Sequence, residues 1–369
     1  MLFNTHLLLR WLLLAAATTV AIVAAHPGEA PPTKAEIAAG RLYKRSAQAQ
    51  YRRCGSSLQR RQTFEAQQRR RQLLLDQLRT HRTLLHRRAD TDYVSEVLNT
   101  THLSNRTDLT PNSTTSTVFS NSSSSSDACV LQPEVTIGPY WVSGELVRSD
   151  VSEDQAGVPL YLDTQFVDVK TCDPVRGMWW EIWSCNSTGV YSGVQASGNG
   201  DAEDGGNLNA TFLRGVQQTD DNGASQFQTI FPGHYTGRTT HIHVVAHVNA
   251  TLLPNNTLAN SDSTGAVHIG QLFFDQHLIT QIEATPPYTN NTQELTTNEE
   301  DGILGEEAGV EGSDPMVEYV LLGDRVEDGV FAWATIGVDV DARYDTTAAS
   351  RWTEEGGIAN EDGAFGQGL

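Results

Sequence analysis

The stretch Phe231–His247, FPGHYTGRTTHIHVVAH, gathers one tyrosine, one arginine and four histidines into seventeen residues. His241 and His243 flank a single isoleucine at the head of a valine-rich run, the composition of a β-strand. Side chains two residues apart on a strand point to the same face, so these two imidazoles stand side by side as half of a metal site. Tyr235 precedes His241 by six residues, behind a turn marked by Pro232 and Gly233, and can reach the same point in space. His247 shares the face of His243 by its spacing and reads as a supporting residue; His234 reads as part of the turn. A second stretch, Trp179–Gly193 (WWEIWSCNSTGVYSG), ends an aromatic run in a glycine-marked turn that carries Tyr191. Alone, Tyr191 is an ordinary packed tyrosine.

These residues must be positioned by a β-rich body. From Cys129 to about Val340, short runs rich in β-branched and aromatic residues alternate with Gly, Pro, Asn and Asp. The runs Val158–Val167, Met178–Ser184, Phe227–Phe231, His241–Val248, Gly270–Phe274 and Gly329–Val338 predict a mainly β domain, an antiparallel β-sandwich. Residues 26–98 are predicted to form a basic helical segment. Within them, residues 34–97 are rich in Arg, Gln and Leu, and Phe64, Leu73, Leu74, Leu78 and Leu85 recur at helical spacing or its multiples. Residues 99–128 are a Ser/Thr/Asn-rich linker whose composition cannot bury a core. Residues 341–369 form an acidic, Gly-rich tail, expected to lack regular structure.

Charge divides the chain the same way. Of the 369 residues, with a net charge of −20, positions 26–127 carry 16 Lys+Arg against 9 Asp+Glu, and positions 128–369 carry 8 against 36. So acidic a body argues against nucleic acid as its partner. The basic helices have two candidate roles: bracing the acidic domain, or pairing two copies of the chain as a homodimer. Residues 1–25 have the layout of a secretory signal peptide, with Val23-Ala24-Ala25 as a small-residue cleavage site and His26 as the new N-terminus. Nine Asn-x-Ser/Thr sequons, at Asn99, Asn105, Asn112, Asn121, Asn186, Asn209, Asn249, Asn255 and Asn290, fit a glycosylated extracellular protein with no lasting membrane association. Four cysteines in an oxidising compartment allow three pairings, and Cys172–Cys185 with Cys54–Cys129 is the expected one.

Taken together in order, GVYSG, PGHY and R-x-x-H-x-H resemble the intradiol ring-cleavage dioxygenases, the catechol and protocatechuate dioxygenase family, and are most similar to its secreted fungal branch. The likeness extends over Cys129–Asp150, Glu181–Val194, Phe212–Val244, His268–Asp275 and Asp328–Asp339. It implies a non-haem Fe(III) held by Tyr191, Tyr235, His241 and His243, a small aromatic diol and O2 as reactants, and a muconate-type diacid as product. Phenolate is a hard anionic ligand that favours Fe(III), which gives the implied ligand set chemical sense. By the same resemblance Tyr235 is the ligand that leaves the metal when a catechol chelates, Tyr191 is the one that stays, and Arg238 stabilises the electron-rich substrate. Gln271 aligns with a glutamine near the metal-bound hydroxide, with Gln281 as a competitor in a similar local context. Trp141 and Ser184 depart from the family pattern beside the pocket.

Two other functions fit parts of the chain. A copper oxygenase would use His26 as an N-terminal ligand, but leaves the two tyrosines without a role. A non-catalytic β-sandwich would bind iron or aromatics without turning them over.

Overall fold

The computed structural model describes residues 35, 38, 42, 44–50, 93–118, 128–129, 139–200, 203–259, 266–309, 313–344 and 346–360. Two sheets pack face to face. In the first, β1 (Ala128–Cys129), β12 (Val330–Val338), β3 (Pro159–Asp168) and β6 (Ala224–Ile230) lie in that order, and β11 (Glu318–Leu321) also pairs with β12. In the second, the order is β10 (His268–Phe273), β7 (His241–His247), β4 (Trp179–Trp183) and β5 (Arg214–Gln218). Between the sheets, Leu160, Leu162, Ala332, Ala334 and Ile336 meet Trp180, Ile182, Ile242, Val244, Ala246 and Leu272 in one buried cluster.

The expected sandwich is present, with one difference of detail. The second sheet is antiparallel throughout. The first is mixed, because β12 runs parallel to β3 from Val330↔Leu160 to Val338↔Asp168. Parallel neighbours require a long crossover, and here most of the domain lies between the two strands.

The linker and tail expectations need correction. Residues 93–118 pack on the domain. The helix Tyr93–Asn99 buries Val97 beside Phe273, Leu304 and Met316. Leu109 and Val118 cover Phe331 and Trp333 on the outer face of the first sheet. His102 O accepts from Tyr319 N at 3.0 Å, and Ser104 N donates to Tyr319 O at 2.7 Å. A few well-placed apolar residues and backbone bonds suffice to dock a segment whose average composition is polar. Past residue 341, β13 (Ser350–Thr353) and β14 (Gly356–Ala359) form a hairpin that joins β2 (Val142–Ser143). Trp352 packs against the cluster around Tyr140 and Trp141 and supplies an apolar anchor that the glycine-rich composition hides.

Cys185 is a buried free thiol 3.4 Å from Gly233 O, so the expected Cys172–Cys185 bond is not formed. Cys172 is engaged elsewhere. Cys54, the side chain of Cys129, His26 and the signal-like segment lie outside the described residues. Among those residues, no helix is long and apolar enough to cross a membrane.

Candidate metal centre

Strand alternation divides the second sheet into two chemistries. On β7, Ile242, Val244 and Ala246 enter the apolar core. His241, His243, Val245 and His247 point the other way, and all seven residues of the strand are buried. The outward face stays dry because Tyr140, Trp141, Val142, Tyr191 and Val194 cover it as a further layer. Register sets one row of chemistry across this face: Gln271 pairs with His243, His243 with Trp183, and Trp183 with Arg214.

The four candidate donors come together. His241 Nε2 lies 3.1 Å from His243 Nε2 and 3.4 Å from Tyr235 Oη. The Tyr191 ring is 5.4 Å from that of Tyr235 and 6.1 Å from that of His243, both edge-on. His241 Nδ1 is 2.6 Å from Thr239 O. A carbonyl only accepts, so Nδ1 carries the proton and Nε2 presents a lone pair to the cluster, the tautomer a metal ligand needs. Trp183 stacks flat on His243, with centroids 4.6 Å apart and 5° between planes, and fixes the ring.

Electrostatics keep the imidazole neutral. Burial, reinforced by the Arg238 charge, pushes His241 down to about 3. Burial also raises both Tyr191 and Tyr235 well above the ordinary tyrosine value. The Tyr191 hydroxyl is buried, and its one hydrogen-bonding neighbour is the Tyr235 phenol, at the margin of bonding geometry. Buried polar atoms are almost always satisfied, so two buried phenols with no better partner beside the His241 lone pair fit a cation. A cation would also favour loss of the phenolic protons. Among the described residues, no group of three His, Cys, Asp or Glu could hold a metal. This donor set is two phenols and two imidazoles.

Arg238 is buried beside the cluster. Its Nε donates to Asp301 Oδ2 at 2.8 Å and a terminal nitrogen donates to Gln271 Oε1. Asp301 also accepts from Thr239 N at 2.8 Å and caps the helix Gly302–Ala308 through Leu304 N. Gln271 therefore belongs to the site region, whereas Gln281 is exposed on the helix Gln276–Glu283. His247 pairs with Glu181 at 2.7 Å. His234 is held between Glu283 at 2.8 Å and Gln293 O at 3.1 Å, in the turn.

Several residues that sequence reasoning missed complete the site. Tyr140 stacks on Tyr191 with centroids 4.7 Å apart. Arg214, buried, donates to Ser192 O at 2.9 and 2.7 Å and to Tyr140 O at 2.7 Å, which ties both loops to the sheet. Asp301 holds Arg238. Tyr140 and Arg214 lie inside the stretches that carry the family resemblance, whereas Asp301 lies outside all of them. Trp141 is fully buried in the covering layer, and Ser184 N bonds Leu213 O at 3.3 Å.

The chain is similar to known dioxygenases. A family model described as Dioxygenase (Dioxygenase_C) matches residues 138–300. The structure of an intradiol ring-cleavage dioxygenase from Tetranychus urticae is 31% identical, with 58% of this chain and 97% of that one covered, at a TM-score of 0.47. The dioxygenase domain of a carbohydrate-binding fusion protein from Streptomyces sp. SirexAA-E is 20% identical, covering 60% of this chain and 100% of that one, TM-score 0.32. Catechol 1,2-dioxygenase from Acinetobacter sp. ADP1 is 21% identical, covering 57% and 65%, TM-score 0.33. No curated protein sequence matches the chain.

Proposed function

The chain belongs to the intradiol ring-cleavage dioxygenases, and from that premise we propose that Tyr191, Tyr235, His241 and His243 hold a non-haem Fe(III) at which catechol-type diols are opened with O2. The observation that carries this assignment is the buried convergence on His241 Nε2 of His243 Nε2 at 3.1 Å and Tyr235 Oη at 3.4 Å, with the Tyr191 ring edge-on to those of Tyr235 and His243. Iron bound there would supply a Lewis-acidic centre that activates the diol toward O2.

The chain's own residues do the rest. Tyr235 would take a diol proton on Oη. The second tyrosine, Tyr191, would be held in position by the Tyr140 ring stacked on it. Arg238, fixed by Asp301, offers a preorganised positive charge to the electron-rich ring. Exclusion of water strengthens that charge. Tyr191, Tyr235, Arg238, His241, His243 and Gln271 are each exposed by 2% or less.

Purified protein should be burgundy to red-brown from tyrosinate-to-iron charge transfer and should consume O2 with catechols. Tyr191→Phe should lose the colour or the activity. A colourless, iron-loaded protein, or full activity in Tyr191→Phe, would refute the site.

The secreted, fungal-type reading rests on the signal-like N-terminus and the sequons. Asn99, Asn105, Asn112, Asn209, Asn249, Asn255 and Asn290 are exposed, with Asn99 Nδ2 donating to Ser95 O at 2.7 Å and Asn209 Oδ1 accepting from Gly357 N at 3.0 Å. Asn186 instead spends its side chain on Gln155, Thr188 and Val190. Protein recovered from culture medium should begin at His26 and drop in mass on enzymatic deglycosylation; purely intracellular, unmodified protein would overturn this reading. Catechols released from plant aromatics are the substrates proposed for an extracellular enzyme of this kind.

A further inference from the structure

The two tyrosines come from turns far apart in sequence, Asn186–Tyr191 and His234–Arg238. A third segment, 291–301, binds both. Gln293 sits at the junction. Its Nε2 donates to Thr188 O and Gly189 O, each at 3.2 Å, in the turn before Tyr191. Its Oε1 accepts from Thr236 N at 3.1 Å, immediately after Tyr235. Its backbone O meets His234 Nε2 at 3.1 Å, immediately before Tyr235.

Neighbours extend the same pattern along the Tyr235 turn. Asn291 Nδ2 donates to His234 O at 2.8 Å, Thr296 Oγ1 accepts from Gly237 N at 3.1 Å, and Thr239 Oγ1 donates to Asn298 Oδ1 at 2.6 Å. Asp301 takes Arg238 and Thr239 N. Residues 234, 236, 237, 238 and 239 are all splinted by this segment. Tyr235, the one residue between them, is tied to the splinted Arg238 through its backbone O, which accepts from Arg238 N at 3.2 Å.

Glycine at 189 is required by the same contact. Its φ is +83°, and a Cβ there would run into Gln293 Nε2 and His234 O. Gly233 presses on the Tyr191 turn from the other side, with its N donating to Asn186 O at 3.2 Å.

We propose that Gln293 is a positioning residue that locks the Tyr191 and Tyr235 turns into one body, so that Tyr235 exchanges by rotation of its side chain and not by opening of its turn. As a statement about the metal ligands this rests on the iron reading above. The tie between the turns does not, and the two are tested separately.

Gln293→Met keeps length and packing but removes the side-chain bonds. Gln293→Glu keeps the bond to Thr236 N and sets a carboxylate against the two carbonyls of the Tyr191 turn. Thr296→Val loosens only the Tyr235 side. Amide hydrogen exchange on the full chain, with or without iron, reads the tie directly. Gln293→Met should speed exchange in both turns together, Gln293→Glu mainly in 186–191, and Thr296→Val only in 236–238. Acceleration of one turn alone, or of neither, in Gln293→Met overturns the proposal.

With iron bound, Gln293→Met should shift the tyrosinate-to-iron band and release iron to a chelator about 10–100-fold faster, the usual cost of losing a group that orients a ligand. The neighbouring exposed substitution Glu294→Ala should change neither. An unchanged band and an iron-loss rate within about twofold of the parent protein would show that the tie does not position the ligands. A parent protein without any such band would instead remove the iron reading, and the exchange data would still decide the tie.

Discussion

The two faces of the second sheet use the same strands for opposite ends. Inward, Trp180, Ile182, Ile242, Val244 and Leu272 join a predominantly apolar core. Outward, His241, His243, His247, Glu181, Arg214 and Gln271 are just as thoroughly buried, yet polar. An apolar face tolerates approximate partners, because burial is non-directional. A buried polar face does not, since each donor and acceptor needs a specific partner. Stability on one side is spread over many contacts, while on the other it is tied to the geometry that chemistry requires. Adjacent residues of β7 should therefore fail in different ways.

The largest effect is expected at His243. His243→Ala removes a donor from the cluster and the ring that Trp183 stacks on. Loss of bound iron and of O2 uptake to background is expected, with a retained circular dichroism spectrum because the inward core is untouched. Iron analysis and oxygen electrode measurements check both halves. Full iron content would break the division between the faces.

Arg214→Met comes next. Arg214 lies across Trp183 from His243 and 3.7 Å from Glu145, both buried. Burial pushes the Glu145 carboxyl up to about 8, even with Arg214 pulling it down, so the main loss is of the bonds to Ser192 O and Tyr140 O. Leaving a buried acceptor unsatisfied costs about 1–3 kcal/mol. Denaturant unfolding should show the loss, accompanied by a disturbed Tyr191 environment, because Ser192 and Tyr140 lose their anchor.

Ile242→Ala, one residue from each histidine, should cost about 2–5 kcal/mol of stability, as cavity-forming core substitutions do. It should leave the colour and the ratio of kcat to KM within a few fold of the parent at a temperature where both are folded. A large loss of activity with intact stability would mean that the two faces are not separable.

The inward face was legible in sequence because it follows a period of two, and the runs around residues 160, 180, 244, 272 and 334 mark it. β5 was not, because RGVQQ carries a single apolar residue among polar ones whose partners only the fold supplies. The residues converging on the site were readable where spacing placed them, as at His241 and His243. They were unreadable where contact crosses elements. Tyr191 needed a family resemblance to join the others. Asp301, Arg214 and Gln293 act through bonds spanning 63, 74 and 105 residues, respectively. The β13–β14 hairpin and the docked 93–118 segment escaped for a related reason. Each is held by a few anchors, Trp352 in one and Leu109 and Val118 in the other, within sequence whose average is polar.

The smallest predicted effect separates the faces by pH. On the inward face the register sets one histidine, His268, opposite Ala246, and burial pushes it down to about 3; a second source of pH-dependent stability lies outside that face. It is the strap at His102, whose Nδ1 is 2.5 Å from Asp275 and Nε2 2.8 Å from Asp314. Asp275 lies two residues past the end of β10, and Tyr319 is the remaining titratable neighbour. Burial by itself lowers the imidazole, but bonds to the two carboxylates outweigh it and raise His102 to about 10. The unfolded value is about 6.5. Because the folded state holds the proton more tightly, the stabilisation is fully present below about pH 6.5 and is lost as pH rises toward 10. The slope is at most about 1.4 kcal/mol per pH unit. His102→Asn should flatten the dependence of Tm on pH across that window and leave the inward core unchanged. An identical Tm profile in the variant would place the strap outside the stability of the sandwich and assign any alkaline loss to the outward polar layer alone.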